Sequence, residues 1–477
     1  MASDTPPGRL IFAAAVAYVT VTLALFFWHE PWRDEAQVWL IARDAVGLGD
    51  LYNALGYERT PGLWLLLVLP LARLGFPYAS MNLMHSVLAA ITGVFFVYIA
   101  PFSRLQRVMF VFGYFMVYEY NAIARSYVLS VLLMFLLAWS YKDRFKAPMR
   151  YSLLVALLAN TNAHSIVLAC VFAFSFLVES LPRVESGRRI AFGVLVALVG
   201  VLVASAQIME PPDLIGWYRG FWVAGSAGRT LTTLNGAFIP VPKNTIQFWN
   251  SLAFETPYAF IIFLLTLMPL ARNRKALSLY ILGSLLLIAV FAFKSEGGLR
   301  HQGLIYMYFI ACMWIAYGEG LRPRVFEGMF LSLVLIIQLI GSPIAVYYEA
   351  AYDFSAGKEA AGFISSERQL AGAKIATYRS YVGSAMLPYL APQRMRFYCI
   401  EYSRECSYMV WNRRYYDSLG LDFKDVVRKA RNEYDADYLI VGKNATVPDR
   451  LPRGCTKEAE FWNTIQDDES IGVYRLK

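Results

Sequence analysis

The chain has 477 residues, of which 57% are hydrophobic and only 17% charged, whereas a soluble domain averages about 25% charged and under half apolar. The excess lies in long apolar runs, which excludes an ordinary soluble globular protein. The formal charge of +9 does not indicate nucleic acid, because the basic residues punctuate the ends of those runs instead of forming a stripe on one soluble face.

Taken in chain order, the first run is 10–28. It is too long for a signal h-region and has no small-residue cleavage pattern after it, so it reads as an uncleaved first helix. Basic clusters mark the cytoplasmic side: Arg104 and Arg107, Lys142 to Arg150, Arg183 with Arg188 and Arg189, Arg272 to Lys275, and Arg322 with Arg324. With these inside, 10–28 goes out and 79–100 comes in. Then 108–124 goes out and 126–141 comes in, and 151–161 with 163–181 forms a short out-and-in pair. Next 190–209 goes out, 257–271 comes in, 277–293 goes out, 303–317 comes in and 325–347 goes out. That makes about eleven crossings, several of them short for the ~20 residues of a spanning helix. The run 61–74 is too short, is interrupted by Pro70, and would invert every later loop if counted. It reads as re-entrant or interfacial.

The expected architecture is an all-α polytopic membrane domain, 1–348, with large outer segments at 29–78 and 210–256. A more polar tail, 349–477, follows. Its runs 373–378, 438–441 and 472–476 read as strands and 422–433 as a helix, so a small extracytoplasmic α/β domain is expected. The N-terminus falls in the cytoplasm and the C-terminus outside it, most simply across a bacterial inner membrane. Cys170 and Cys312 lie in apolar runs as small core residues. In an oxidising compartment Cys399 and Cys406 are close enough in sequence to pair, with Cys455 left over or the partner instead. No Cys/His spacing reads as a metal site, and no cofactor is expected.

This threading gathers ionisable residues at the outer helix ends: Arg33, Asp34, Glu35, Arg43, Glu58, Arg59, Glu119, Arg125, His164, Glu296, Arg300 and His301. Each is expensive near a bilayer and so is a functional candidate. Each also has an ordinary structural reading. Asp34 could cap a helix, with Gln37 reaching back. Arg59 could snorkel. Glu119 and Arg125 could form an internal ion pair, and His164 could be a polar turn residue. Arg300 and His301 start a helix whose first amides would favour an anion. Convergence on one membrane face is the stronger argument, and mixed acids and bases suit an anionic lipid phosphate together with acid–base chemistry.

The pair Asp34-Glu35 directly after the first span resembles the membrane-embedded GT-C glycosyltransferases. The likeness is to the branch containing protein O-mannosyltransferases and lipid A aminoarabinose transferases. There the first outer loop carries Asp-Glu and then a His/Lys-Pro-Pro stretch leading to an interfacial helix. Arg59-Thr60-Pro61 stands at the second place, with the basic residue displaced by Thr60 and one proline missing. Ala124-Arg125-Ser126-Tyr127 is similar to the family's Ala-Arg-x-Tyr turn. The resemblance covers roughly 10–347. It implies inverting transfer of a sugar from a polyprenyl-phosphate donor to a hydroxyl of a glycan, lipid or protein. Asp34 would be the base, with Glu35 beside it. Arg59, Arg125 and Arg300 would hold donor phosphate, and Glu58, Glu119, His164 and His301 would contact substrate. Two rival readings are a lipid-linked saccharide flippase, which would want repeat symmetry and broken midplane helices, and a non-catalytic envelope scaffold presenting the tail.

Overall fold

A computed structural model describes residues 8–182, 187–214, 224–367, 372–390 and 395–477. Arg183 and residues 215–223 of the second outer segment therefore lie outside the described residues. The first long helix is α1 (Arg9–Trp28). Three shorter helices follow in the outer segment: α2 (Arg33–Asp44), α3 (Leu48–Glu58) and α4 (Leu63–Arg73). Then come α5 (Ala79–Ile99), α6 (Arg104–Val111), a π-helical turn at Phe115–Glu119, α7 (Tyr127–Ser140), α8 (Pro148–Ala159), α9 (Ala163–Ser180) and α10 (Gly187–Gln207). The membrane part ends with α11 (Ser226–Phe238), α12 (Tyr258–Leu270), α13 (Arg274–Phe293), α14 (Leu299–Gly318) and α15 (Val325–Ala351).

Among the described residues six helices are long and apolar enough to cross a membrane: α1, α5, α9, α10, α13 and α15. The chain is a multi-pass membrane protein, although the span count of eleven is not reproduced by length and composition. Helices α4, α8 and α12 are apolar but shorter. The expected crossing 108–124 is broken into α6 and the π turn. That break is tolerable because its polar groups find protein partners: Asn121 donates to Thr22 Oγ1 at 3.1 Å and Tyr114 to Glu119 Oε1 at 2.8 Å.

Large apolar side chains point outward along the spanning helices, such as Leu195, Leu198 and Leu202 on α10 and Leu333, Ile336 and Ile340 on α15. Spacings of three and four residues place them on one stripe, and exposed in water such stripes would aggregate. Helix α14 is the opposite case, with nearly every residue buried. It is the central strut, and its N-terminus delivers Arg300 and His301 to the end of the helical domain where Asp34 lies. Without a hydrophobic drive between helices in lipid, small residues allow close approach. A Cβ on Gly93 of α5 would lie 2.1 Å from the Tyr18 ring of α1, and one on Gly200 of α10 would lie 2.2 Å from Ala156 of α8.

The tail begins with α16 (Gly357–Ser366) and continues through β1 (Ile375–Tyr378), α17 (Tyr381–Met386), β2 (Phe397–Cys399), β3 (Arg404–Cys406) and α18 (Arg413–Asp417). It ends with α19 (Phe423–Tyr434), β4 (Tyr438–Gly442), β5 (Thr456–Phe461) and β6 (Ile471–Arg475). The sheet order is β3-β2-β1-β4-β6-β5, with β1 parallel to β2 and β4 and the other pairings antiparallel. Side chains alternate between two cores. Ile375, Ile440 and Val473 meet α16 and α17, whereas Ala376, Leu439 and Tyr474 meet α19. Leu40 of α2 belongs to the first of these cores, so the tail is built onto the outer segment. Cys399 and Cys406 form a disulfide across the β2–β3 hairpin with Cα atoms 5.9 Å apart, and Cys455 is a buried free thiol.

Candidate active site

Between one end of the helical domain and the tail lies a cavity of about 520 Å³. Asp34, Glu58, Arg59, Arg125, His164, Arg300 and His301 all line it, so seven of the nine residues given a role by the resemblance share one space. Glu35 and Glu119 lie behind its wall.

Asp34 sits in the first turn of α2, whose N-cap is Trp32. Asp34 is not the cap. The capping carboxylate is Glu35, whose Oε2 accepts from the Trp32 amide at 3.1 Å, and Gln37 is engaged elsewhere. That leaves the Asp34 side chain free to face the cavity, where Arg300 NH2 approaches Oδ2 at 3.2 Å and Arg125 NH1 lies 3.9 Å from the same oxygen. Arg125 also donates to the Asp34 carbonyl at 2.5 Å, so the ordinary structural reading of a Glu119–Arg125 ion pair does not hold. Arg300 lies over the Trp32 and Trp249 rings, 5.4 and 5.2 Å from their centroids. Glu119 acts one layer back, accepting from Trp249 Nε1 at 3.4 Å.

Glu35 is fully buried. Its Oε1 accepts from the Ala124 amide at 2.6 Å and its Oε2 meets His29 Nε2 at 2.9 Å. The other face of His29 meets Glu349 Oε1 at 2.7 Å, and Tyr118 donates to Glu349 Oε2 at 2.6 Å. Burial alone would lower the His29 imidazole, but Glu35 and Glu349 push it up to about 10. Burial would likewise raise Glu35, yet the charge and hydrogen bond of His29 and the Ala124 and Trp32 amides hold it below the usual carboxylate range. This chain of buried groups ties α1, α2, the π turn and α15 together behind Asp34.

Two further clusters complete the cavity wall. Arg59 ends α3 in the left-handed region at φ 52°, which is costly for a side-chain-bearing residue and turns the chain so that Glu58 and Arg59 both reach the cavity. Arg59 pairs with Glu210 at 2.9 Å, and Lys294 meets the same carboxylate at 3.2 Å. Glu58 Oε1 accepts from Gln37 Nε2 at 2.8 Å and from Trp411 Nε1 at 2.9 Å. Burial raises the Glu58 carboxyl, with Arg125 opposing the shift. On the remaining side the His164 and His301 rings lie 4.9 Å apart. His164 Nδ1 is buried without a partner among the described residues.

The first amides of α14 are not open to an anion as expected, because Gly298 N donates to His301 Nδ1 at 2.8 Å and Leu299 N to Asn250 Oδ1 at 2.9 Å. The guanidinium of Arg300 remains available, its Nε buried with no partner among the described residues. Among those residues no three His, Cys, Asp or Glu side chains converge to hold a metal ion. Sequence reasoning missed Lys294, Trp411 and Tyr416, which also line the cavity. The last two come from the tail, and nothing local in that segment signals contact with helix ends more than 350 residues earlier.

No protein-family model matches the chain, and no curated protein matches it. A solved structure does. It is the crystal structure of ArnT from Cupriavidus metallidurans bound to undecaprenyl phosphate, with a TM-score of 0.56 over 97% of this chain and 98% of that chain at 11% identity. At so low an identity the likeness is one of fold, and it runs through both the helical part and the tail. The chain thus has a fold similar to that of ArnT, and its own C-terminal part forms a small six-stranded sheet domain.

Proposed function

We propose that the chain is a membrane glycosyltransferase that moves a sugar from a polyprenyl-phosphate donor to an acceptor hydroxyl, inverting the anomeric carbon, on the extracytoplasmic face of a bacterial inner membrane. The observation that carries this reading is the Asp34 carboxylate, which faces an open cavity between Arg300 and Arg125. A hydroxyl is a poor nucleophile and needs a base aimed at its proton. The acceptor O–H gives its proton to Asp34 while its oxygen bonds to the anomeric carbon from the face opposite the phosphate. The carbon–oxygen bond to phosphate breaks, and the electron pair leaves with the polyprenyl phosphate. Arg59, Arg125 and Arg300 meet the charge that grows there. The Nε of Arg300, which has no partner among the described residues, is a donor suited to a phosphate oxygen. A bound phosphate would also compete with Asp34 for the Arg300 NH2 group, releasing the carboxylate for proton transfer.

The undecaprenyl phosphate in the ArnT structure supports a polyprenyl lipid as donor, and the tail disulfide supports an oxidising compartment for the C-terminal domain. The acceptor is a glycan, lipid or protein hydroxyl. The test is titration of the detergent-purified protein with undecaprenyl phosphate. Binding should weaken by about tenfold or more in Arg300→Ala and persist in Asp34→Asn. An Arg300→Ala variant that binds the lipid as the parent does would remove the phosphate site from this cavity.

A further inference from the structure

The Glu58 carboxylate is anchored at one oxygen only. Oε1 takes both hydrogen bonds, from Gln37 and Trp411. Oε2 takes none from the described residues and belongs to a side chain that lines the cavity. Trp411 and the backbone before it are braced by four residues. Its N–H is held by Glu58, and its ring meets Tyr415 edge-on at 5.2 Å. The backbone before it is pinned by Gln37, which accepts from Met409 N at 2.9 Å and donates to Met409 O at 2.8 Å. On the near side of Trp411, Tyr402 donates to Val410 O at 2.7 Å and accepts from Val410 N at 2.9 Å. A surface loop with no task would not be expected to hold one indole this firmly at a cavity edge.

We propose that Trp411 and Glu58 form the subsite for the transferred sugar, a neutral pyranose ring whose C–H face lies on the indole and whose hydroxyl donates to Glu58 Oε2. This rests on the transferase reading above. The ring is attached directly to the donor phosphate, and Glu58 lies close enough to Arg125 in the same cavity to feel its charge, so the subsite adjoins the proposed phosphate contacts. Aromatic faces are electron-rich and attract the polarised C–H bonds of a sugar, while the open carboxylate oxygen discriminates by hydrogen bonding. Neutrality follows from the charge already present. Arg125 and Asp34 act on Glu58 with opposite sign, Arg125 and Arg300 meet Asp34, and Arg59 and Lys294 share Glu210, so the charges around the cavity already balance one another and an added ammonium group would upset that balance. Sugar choice is then made by the C-terminal domain, which contributes Trp411, and not by the membrane helices alone.

The test uses the purified protein and three kinds of probe. They are undecaprenyl phosphate alone, the same lipid carrying glucose, mannose or galactose, and the same lipid carrying a 4-amino sugar. The parent protein should bind at least one neutral-hexose lipid tighter than the bare lipid and tighter than the amino-sugar lipid. Trp411→Ala and Glu58→Gln should each weaken that hexose lipid by about tenfold or more while leaving the bare lipid unchanged. Trp411→Phe, which keeps a ring, should recover part of the loss and controls for folding. The subsite is overturned if both variants weaken the bare lipid as much as the loaded one, or if the amino-sugar lipid binds best. If the parent binds no lipid at all, the transferase reading has failed first and the subsite falls with it.

Discussion

Adjacent and chemically alike, Asp34 and Glu35 differ in what surrounds them. Asp34 keeps its side chain in the cavity with two guanidiniums nearby, whereas Glu35 gives both oxygens to His29, Ala124 and Trp32. Sequence alone brings the pair to the right place but cannot separate their roles, because the partners that bury Glu35 come from the far side of the fold. Removing one partner from a buried pair costs about 3–5 kcal/mol, so Glu35→Gln and His29→Gln should both lower the thermal unfolding midpoint in detergent. The pH dependence has a definite sign. His29 titrates higher in the fold than its ordinary 6.5, so its contribution is complete below that pH and fades as pH rises toward 10. Glu35 titrates lower than its ordinary 4.5, so its contribution is complete above that pH and is lost on acidification. The midpoint advantage of the parent over His29→Gln should therefore narrow between pH 6.5 and 10; a gap constant with pH would contradict the network. At the cavity, Arg125→Lys and Arg300→Lys should retain donor binding only in part, since an ammonium lacks the planar fork. Full binding by either lysine variant would reduce these arginines to generic positive charge.

At the scale of elements, the long apolar runs and the doubly buried strands were legible because burial on every side leaves a continuous apolar signal. Strands β1, β4 and β6 and helix α19 fall where the tail's apolar runs put them. Strands β3 and β5 were not legible, since they are mostly exposed at the sheet edges, and β2 has only three residues. The π turn at Phe115–Glu119 was hidden for another reason: its apolar residues read as one continuous span, and only tertiary partners allow the backbone to break. Helix contacts set by absent side chains are testable directly. Gly93→Ala would drive a methyl into the Tyr18 ring, and Tyr18 is itself fixed by donating to Met116 O at 2.7 Å, so a loss of about 1–3 kcal/mol is expected. Gly328→Ala, with nothing within 4 Å of the added methyl, should be neutral or stabilising in its helix. Equal effects of the two on unfolding would contradict the α1–α5 packing.

Across the whole molecule, the tail is bonded to the segment that carries Asp34, the proposed base. Arg33 donates to Glu469 Oε1 at 3.0 Å and sits 2.8 Å from Asp468, Gln37 holds Met409, and Trp411 closes on Glu58. The sequence marked a polar domain at this end without revealing that it walls the cavity, because domain docking leaves no periodicity. With the basic clusters inside, a phosphatase fused after Lys477 should be active and a cytoplasm-dependent reporter inactive there. Thiol labelling of denatured, unreduced protein should reach Cys455 but neither Cys399 nor Cys406. The opposite reporter result would invert the membrane threading and put the cavity on the cytoplasmic face. The central claim is that Asp34 is the base of a sugar transfer from a polyprenyl phosphate. Its most direct test is turnover by purified Asp34→Asn, with lipid binding and thermal midpoint measured on the same sample and an undecaprenyl-phosphate sugar as donor. The account predicts a folded protein that still binds the lipid while turnover falls by about 10²–10⁴-fold; a folded Asp34→Asn that transfers sugar at the parent's rate would contradict it.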